Sequence, residues 1–280
     1  MSELSVSPEW LKHQLGRKNV KIVDASWYLA AQKRDPKAEF LAEHIPGAVF
    51  FDIDAIADRT TDLPHMLPDA AAFAEAVGAL GLSEGDTIVV YDGVGLFTAP
   101  RVWWMLKAFG AKDVRILEGG LPAWKHSGLP LESGEAKPKP ARFNVSFSRD
   151  TVRSIEDVRW HLAAGDATIV DARAPARFRG EAPEPRPGLP SGHMPGARNV
   201  YYETLAEGGR LKQPDEIRKI FSDAGVDLSA PVVTSCGSGV TAAVLLFALA
   251  SLGKTDVALY DGSWTEWAAS PDAAIAKGPA

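Results

Sequence analysis

Short apolar runs with strand character alternate with longer stretches of helical pattern along this chain. Val20-Lys-Ile-Val-Asp-Ala25, Thr87-Ile-Val-Val-Tyr-Asp92 and Val114-Arg-Ile-Leu-Glu-Gly-Gly120 are β-branched runs closed by polar or glycine turns and predict strands. Leu4 to Gly16 predicts a helix with Ser7 as N-cap, Pro8 at the first helical position and Glu9 in the first turn. Asp69 to Leu80 predicts another, and Pro100 opens a third that carries Trp103, Trp104 and Leu106. Strand and helix in regular alternation predict an α/β fold, with a parallel sheet covered by helices on both faces.

The pattern then repeats. Ile22-Val-Asp-Ala25 returns as Ile169-Val-Asp-Ala172, an offset of 147, and His44-Ile-Pro-Gly-Ala48 returns as His193-Met-Pro-Gly-Ala197, an offset of 149. Val90-Tyr-Asp92 aligns with Thr234-Ser-Cys236, and Gly119 and Trp124 align with Gly262 and Trp267. One domain is used twice, over residues 1–140 and 141–280. Gly134-Glu-Ala-Lys-Pro-Lys-Pro-Ala-Arg142 reads as an exposed, semi-stiff linker between the halves. His44 and His193 occupy matching places and are assigned to the shared fold, and Arg101 is likewise read as structural.

What breaks the repeat is the chemistry. The stretch Pro231-Val-Val-Thr-Ser-Cys236-Gly-Ser-Gly-Val-Thr241 delivers the chain's single cysteine from a strand to a short loop, and an apolar helix follows from Ala242 to Leu252. In isolation, a lone cysteine is more often a small buried hydrophobe than a nucleophile. Here Gly237 and Gly239 let successive N–H groups turn inward as an anion nest, and the helix dipole adds to it. Both favour a thiolate. The first half has Asp92 in the same place and therefore no nucleophile there.

Composition narrows the class. With 280 residues, 46% hydrophobic and 24% charged, the chain is a globular protein of about two ordinary domains. A net charge of −6 argues against a nucleic-acid partner, and no apolar run approaches a membrane span. One cysteine excludes an internal disulfide. That, with no basic-then-apolar leader at the N-terminus, leads us to expect a cytoplasmic protein. A monomer is expected because two domains can cover each other's apolar faces.

The tandem repeat, the Cys236–Thr241 loop, Phe51-Asp-Ile-Asp54 followed by His65-Met-Leu-Pro68, and Ala176-Arg-Phe-Arg-Gly180 followed by Glu184-Pro-Arg-Pro-Gly188 resemble the two-domain rhodanese-type sulfurtransferases over nearly the whole chain. The resemblance implies two rhodanese-like domains, the second catalytic. It implies that Cys236 takes sulfur from 3-mercaptopyruvate, releases pyruvate and holds a persulfide until a small thiol, a thioredoxin-like dithiol or cyanide collects it. It implies Arg177 and Arg186 as substrate-binding arginines, the loop Gly237, Ser238, Gly239, Val240 and Thr241 as the persulfide cradle, and Ser238, His65 and Asp54 as the groups that manage protons. No metal or organic cofactor is implied.

Three alternatives stand beside this reading. Family members that favour thiosulfate, a dianion, resemble one another in carrying Arg and Lys directly after the cysteine; here those positions are the neutral Gly237 and Ser238. A phosphatase would need a longer loop ending in arginine, and residues 237–243 hold neither Arg nor Lys. A non-enzymatic sulfur-binding module would be expected to have lost some of these site residues.

Overall fold

The computed structural model describes residues 4–280. The chain packs as two units. The first runs to Arg59, resumes over Leu67–Ser148 and includes Gly208–Arg210; the second comprises Thr60–Met66, Arg149–Glu207 and Leu211–Ala280. Each half of the sequence thus lends a short segment to the other half's unit.

In the first unit, strands β1 (Ser5–Val6), β2 (Val20–Asp24), β3 (Ala48–Phe50), β4 (Thr87–Tyr91) and β5 (Asp113–Leu117) form one parallel sheet in the order β1-β5-β4-β2-β3. In the second, β6 (Val152–Arg153), β7 (Thr168–Asp171), β8 (Arg198–Asn199), β11 (Val232–Ser235) and β12 (Val257–Tyr260) repeat it in the order β6-β12-β11-β7-β8. A separate ribbon, β9 (Ala206–Glu207) with β10 (Arg210–Leu211), intervenes in sequence. These are the tandem parallel sheets flanked by helices that the alternation predicts. β4 and β11 are the central strands, almost wholly buried, as expected for apolar runs covered on both faces. The loops after both open at the carboxyl end of the sheet, where α/β folds place their sites.

The N-terminal expectation is corrected in part. The helix spans Pro8–Gln14 with Ser7 as its cap, Ser7 Oγ accepting from the Trp10 N–H at 3.1 Å, but Ser5–Val6 pair with β5 instead of extending it. A cap residue with extended backbone ends the helix on its own N-terminal side. The residues before it then satisfy their amides on the neighbouring strand. The helix Ala242–Ser251 is apolar all round, and every residue from Ala242 to Leu249 is buried, so it is a core element.

The two repeated histidines are buried and do matching work. His44 Nδ1 bonds the Phe40 carbonyl at 2.7 Å with its ring stacked 4.0 Å from that phenylalanine; His193 Nδ1 bonds the Phe178 carbonyl at 2.9 Å with its ring 3.9 Å from Phe178. Arg101 is fully buried, its guanidinium 4.5 Å over the Trp104 ring. Among the described residues no helix is long and apolar enough to cross a membrane.

Candidate active site

β11 ends at Ser235, in register with Asp171 of β7, and Cys236 is the first residue beyond the sheet. Its side chain is buried, 2% exposed. The loop then reverses into the core helix. Gly239 makes the turn with φ +77°, a conformation costly for any residue with a Cβ. Gly237 faces a guanidinium: a Cβ there would lie 3.2 Å from Nη2 of Arg177, a tight contact that the arginine would have to relieve. The arginine's charged end therefore stands directly against the cysteine loop.

The loop's backbone groups divide into two sets. Ser263, at the start of the last helix, accepts from the N–H of Cys236 at 3.2 Å and of Gly239 at 3.1 Å, and donates to the Tyr260 carbonyl at 2.8 Å. The Trp264 N–H donates to the Cys236 carbonyl at 2.9 Å, and Thr265 donates its N–H and hydroxyl to the Gly237 carbonyl at 3.0 and 2.6 Å. The carbonyls are thus turned away to the Ser263–Thr265 segment. Among the described residues no acceptor takes the N–H of Gly237, Ser238, Val240 or Thr241. Thr241 makes no side-chain cap to the helix that follows. Of the amides expected in a nest, that of Gly239 anchors the loop on Ser263 instead. Open amides at a helix start favour an anion beside the sulfur.

His65 arrives on the segment Thr60–Met66. It is 4% exposed and held at φ +62°, strained for a non-glycine residue, and its Nδ1 lies 3.1 Å from Ser238 Oγ. A sequence separation of 173 is closed to put an imidazole on the loop serine. Asp54 belongs to the first unit, in the helix Ile53–Ile56, where its carboxylate accepts from the Trp27 indole at 2.9 Å.

Of the two predicted arginines, Arg177 sits in the one-turn helix Pro175–Phe178 and Arg186 in the irregular segment that follows it. Between Phe178, the end of a one-turn helix, and β8 there is no helix or strand. Arg177 is one quarter exposed; its Nε and Nη2 donate to Glu184 at 3.3 and 2.5 Å. Arg186 is half-buried two residues further on. Sequence reasoning missed three residues around this site: Arg173, Glu184 as more than part of a motif, and Ser263. A signal was available for two of them. The repeat sets Ser26 against Arg173 and Gly120 against Ser263, and in both cases the second half carries the larger side chain.

Among the described residues no group of three or more His, Cys, Asp or Glu side chains is arranged to hold a metal ion. The sulfur, the open amides, an imidazole–hydroxyl pair and a guanidinium form a site for group transfer to and from sulfur, with an anionic partner.

Comparison with known proteins points the same way. The family model of the Rhodanese-like domain matches residues 7–127 and 154–270. The chain is 46% identical to the 3-mercaptopyruvate sulfurtransferase of Escherichia coli (strain K12), over 95% of both chains. It is 44% identical to the 3-mercaptopyruvate sulfurtransferase of Homo sapiens, over 98% of this chain and 95% of that one. The crystal structure of SseA from Escherichia coli, described as a 3-mercaptopyruvate sulfotransferase, matches with a TM-score of 0.87 at 44% identity, covering 93% of this chain and 98% of the other.

Proposed function

The chain belongs to the rhodanese-like family, and on that footing we propose that it is an enzyme moving sulfur from 3-mercaptopyruvate, through a persulfide on Cys236, to a thiol acceptor. The observation that carries the reading is the placement of charge. The cation facing the cysteine loop is Arg177, brought by a separate segment, while the two residues after Cys236 are neutral. A planar guanidinium suits a carboxylate and the neighbouring carbonyl oxygen.

In the first half-reaction the Cys236 thiolate attacks the substrate sulfur. A sulfur–sulfur bond forms, the carbon–sulfur bond breaks, and its electron pair passes to the pyruvate enolate. Arg177 and Arg186 hold the carboxylate and the oxygen on which this charge grows, a stabilisation strongest in the transition state. The enolate takes a proton through Ser238 and His65, with Asp54 assigned to the same relay, and leaves as pyruvate. The outer sulfur of the persulfide, an anion, rests against the open amides of residues 237, 238, 240 and 241. In the second half-reaction an acceptor thiolate attacks that outer sulfur and Cys236 leaves as the thiolate. The acceptor is a small thiol, a thioredoxin-like dithiol or cyanide. The chain works as a cytoplasmic monomer in this reading, without metal or organic cofactor.

The test is kcat/KM for 3-mercaptopyruvate and for thiosulfate, side by side with a dithiol acceptor, on wild type and Cys236→Ser. Preference for 3-mercaptopyruvate, abolished in the variant, is the expected result. Preference for thiosulfate would keep the nucleophile and overturn the donor; no turnover of either would make the protein a sulfur-binding module.

A further inference from the structure

Behind Arg177 lies a buried chain of charges that the reaction outlined above does not use. Asp171, at the end of β7, accepts from Arg173 Nε at 3.1 and 3.0 Å and from Nη2 at 2.6 Å. Nη2 of Arg173 also donates to the Gly192 carbonyl at 2.7 Å, and the guanidinium lies 4.3 Å over the Trp264 ring. Nη1 of Arg173 donates to Glu184 at 2.7 Å. The side chains of Asp171, Arg173 and Glu184 are all 3% exposed or less. Arg173 thus has every nitrogen engaged and a fixed orientation, and Glu184 is fixed by it.

Glu184 in turn takes one edge of Arg177. Oε1 receives Nε at 3.3 Å and Oε2 receives Nη2 at 2.5 Å, a two-pronged contact that sets the plane of the guanidinium as well as its position. Nη1 of Arg177 has no acceptor among the described residues. The arginine therefore presents its second edge outward while Nη2 stands against Gly237.

The repeat supplies an internal control. Asp24 matches Asp171 and is buried at the end of its strand, but Ser26 stands where Arg173 would be, and the Ser26 N–H bonds Asp24 at 2.8 Å. The first unit folds around a buried aspartate with no arginine on it. The chain of charges is thus no requirement of the fold; it occurs in the unit that holds the cysteine.

We propose that Glu184 is a positioning residue for sulfur transfer: locked by Arg173, it aims the Arg177 guanidinium across the cysteine loop at the substrate carboxylate. This rests on the reading of Arg177 as a substrate-binding group. It makes Glu184 act only through Arg177, so the two positions couple rather than add.

The experiment is a double-mutant cycle on the full chain: wild type, Glu184→Gln, Arg177→Ala and the double variant, each with kcat and KM for 3-mercaptopyruvate, Tm, and the rate of Cys236 alkylation by iodoacetamide. Glu184→Gln keeps the volume and one acceptor for Arg173. The expected result is a KM raised roughly 10-fold in Glu184→Gln and roughly 100-fold in Arg177→Ala, smaller changes in kcat, a double variant within about 2-fold of Arg177→Ala, and unchanged alkylation. If Arg177→Ala leaves KM unchanged, the reading of Arg177 falls, and the proposal with it. If Arg177→Ala behaves as expected while Glu184→Gln is silent, multiplies with it or slows alkylation, only the proposal is overturned. Should Glu184→Gln fail to fold, Glu184→Asp carries the same cycle: charge is kept but reach is shortened, and KM must still rise in an Arg177-dependent way.

Discussion

After β4, Asp92 turns its own carboxylate into the loop that follows; after β11, Cys236 puts a sulfur in the corresponding place. Asp92 Oδ1 accepts from the N–H groups of Val94 and Gly95 at 3.0 and 2.7 Å, and Oδ2 from those of Phe97, Thr98 and Ala99 at 2.8, 2.9 and 2.9 Å. Five amides close on one internal anion. In the second unit the comparable ring is one residue shorter, gives two amides to Ser263 and, among the described residues, leaves those of Gly237, Ser238, Val240 and Thr241 without an acceptor. The same strand–loop–helix geometry is an anion nest in both copies. One copy fills it with its own carboxylate, and the other, in the proposed reaction, keeps it for charge that arrives with the substrate.

Exchanging the two occupants is the harshest test of that comparison. Cys236→Asp should abolish turnover, a loss on the order of 10⁴-fold or more because no nucleophile remains, yet leave Tm within about 3 °C of wild type since the new carboxylate meets open amides. A fall of more than about 10 °C would show that the second loop is no nest. Asp92→Ala should do the reverse, stranding four buried donors and a part-buried one and costing roughly 3–5 kcal/mol in urea unfolding. A cost below about 1 kcal/mol would mean that water replaces the carboxylate and that the first loop holds no special anion site.

A smaller effect comes from Asp24, buried at the end of β2 in the first unit. Burial raises Asp24 from 3.8 to about 6; hydrogen bonds from Ser26 and the Tyr91 hydroxyl restrain the rise, and the charge of Asp92 adds to it. The folded state therefore holds this proton more tightly than the unfolded chain does. The stability it contributes is complete below about pH 3.8 and is lost as pH rises through about 6, a change on the order of 3 kcal/mol. Asp24→Asn should flatten that part of the stability–pH curve measured by urea titration. An unaltered slope between pH 4 and 6 would move the effect to another group.

The fold was legible because its signals are local and doubled. Strand runs such as Thr87–Tyr91 and Val232–Ser235 announce themselves by composition, and the repeat marked His44 and His193 as structural before either ring was seen to stack on a phenylalanine. Strand β1 was not legible: two residues carry no periodicity, and their conformation is set by β5, more than a hundred positions away. The site divides in the same way. Cys236 and Gly239 could be read from the loop, but what faces Gly237 is the guanidinium of Arg177, delivered by a one-turn helix far away in sequence. Arg173 and Glu184 lie eleven positions apart, at no helix or strand spacing, and only tertiary packing joins them.

The finest difference between the copies is Gly120 against Ser263. Both take a left-handed backbone, φ +54° and +51°, and a Cβ on Gly120 would lie 2.4 Å from the Asp92 carbonyl, so the first unit has no room for a side chain. Ser263 tolerates the strain, fully buried, and its hydroxyl anchors the amides of Cys236 and Gly239. The first loop is tied down by its own Asp92; the second is tied by the Ser263 hydroxyl, which in the proposed reaction leaves the residue at position 236 free for sulfur. Ser263→Ala keeps the strain and loses both bonds, so it should cost about 2 kcal/mol. Ser263→Gly loses the same bonds but relieves a left-handed conformation worth about 1 kcal/mol, and should fall roughly midway between Ala and wild type. Urea midpoints of the three proteins decide it: Gly above Ala supports a hydroxyl held in place against backbone strain, whereas Ala equal to Gly would mean that the left-handed geometry costs the second unit nothing.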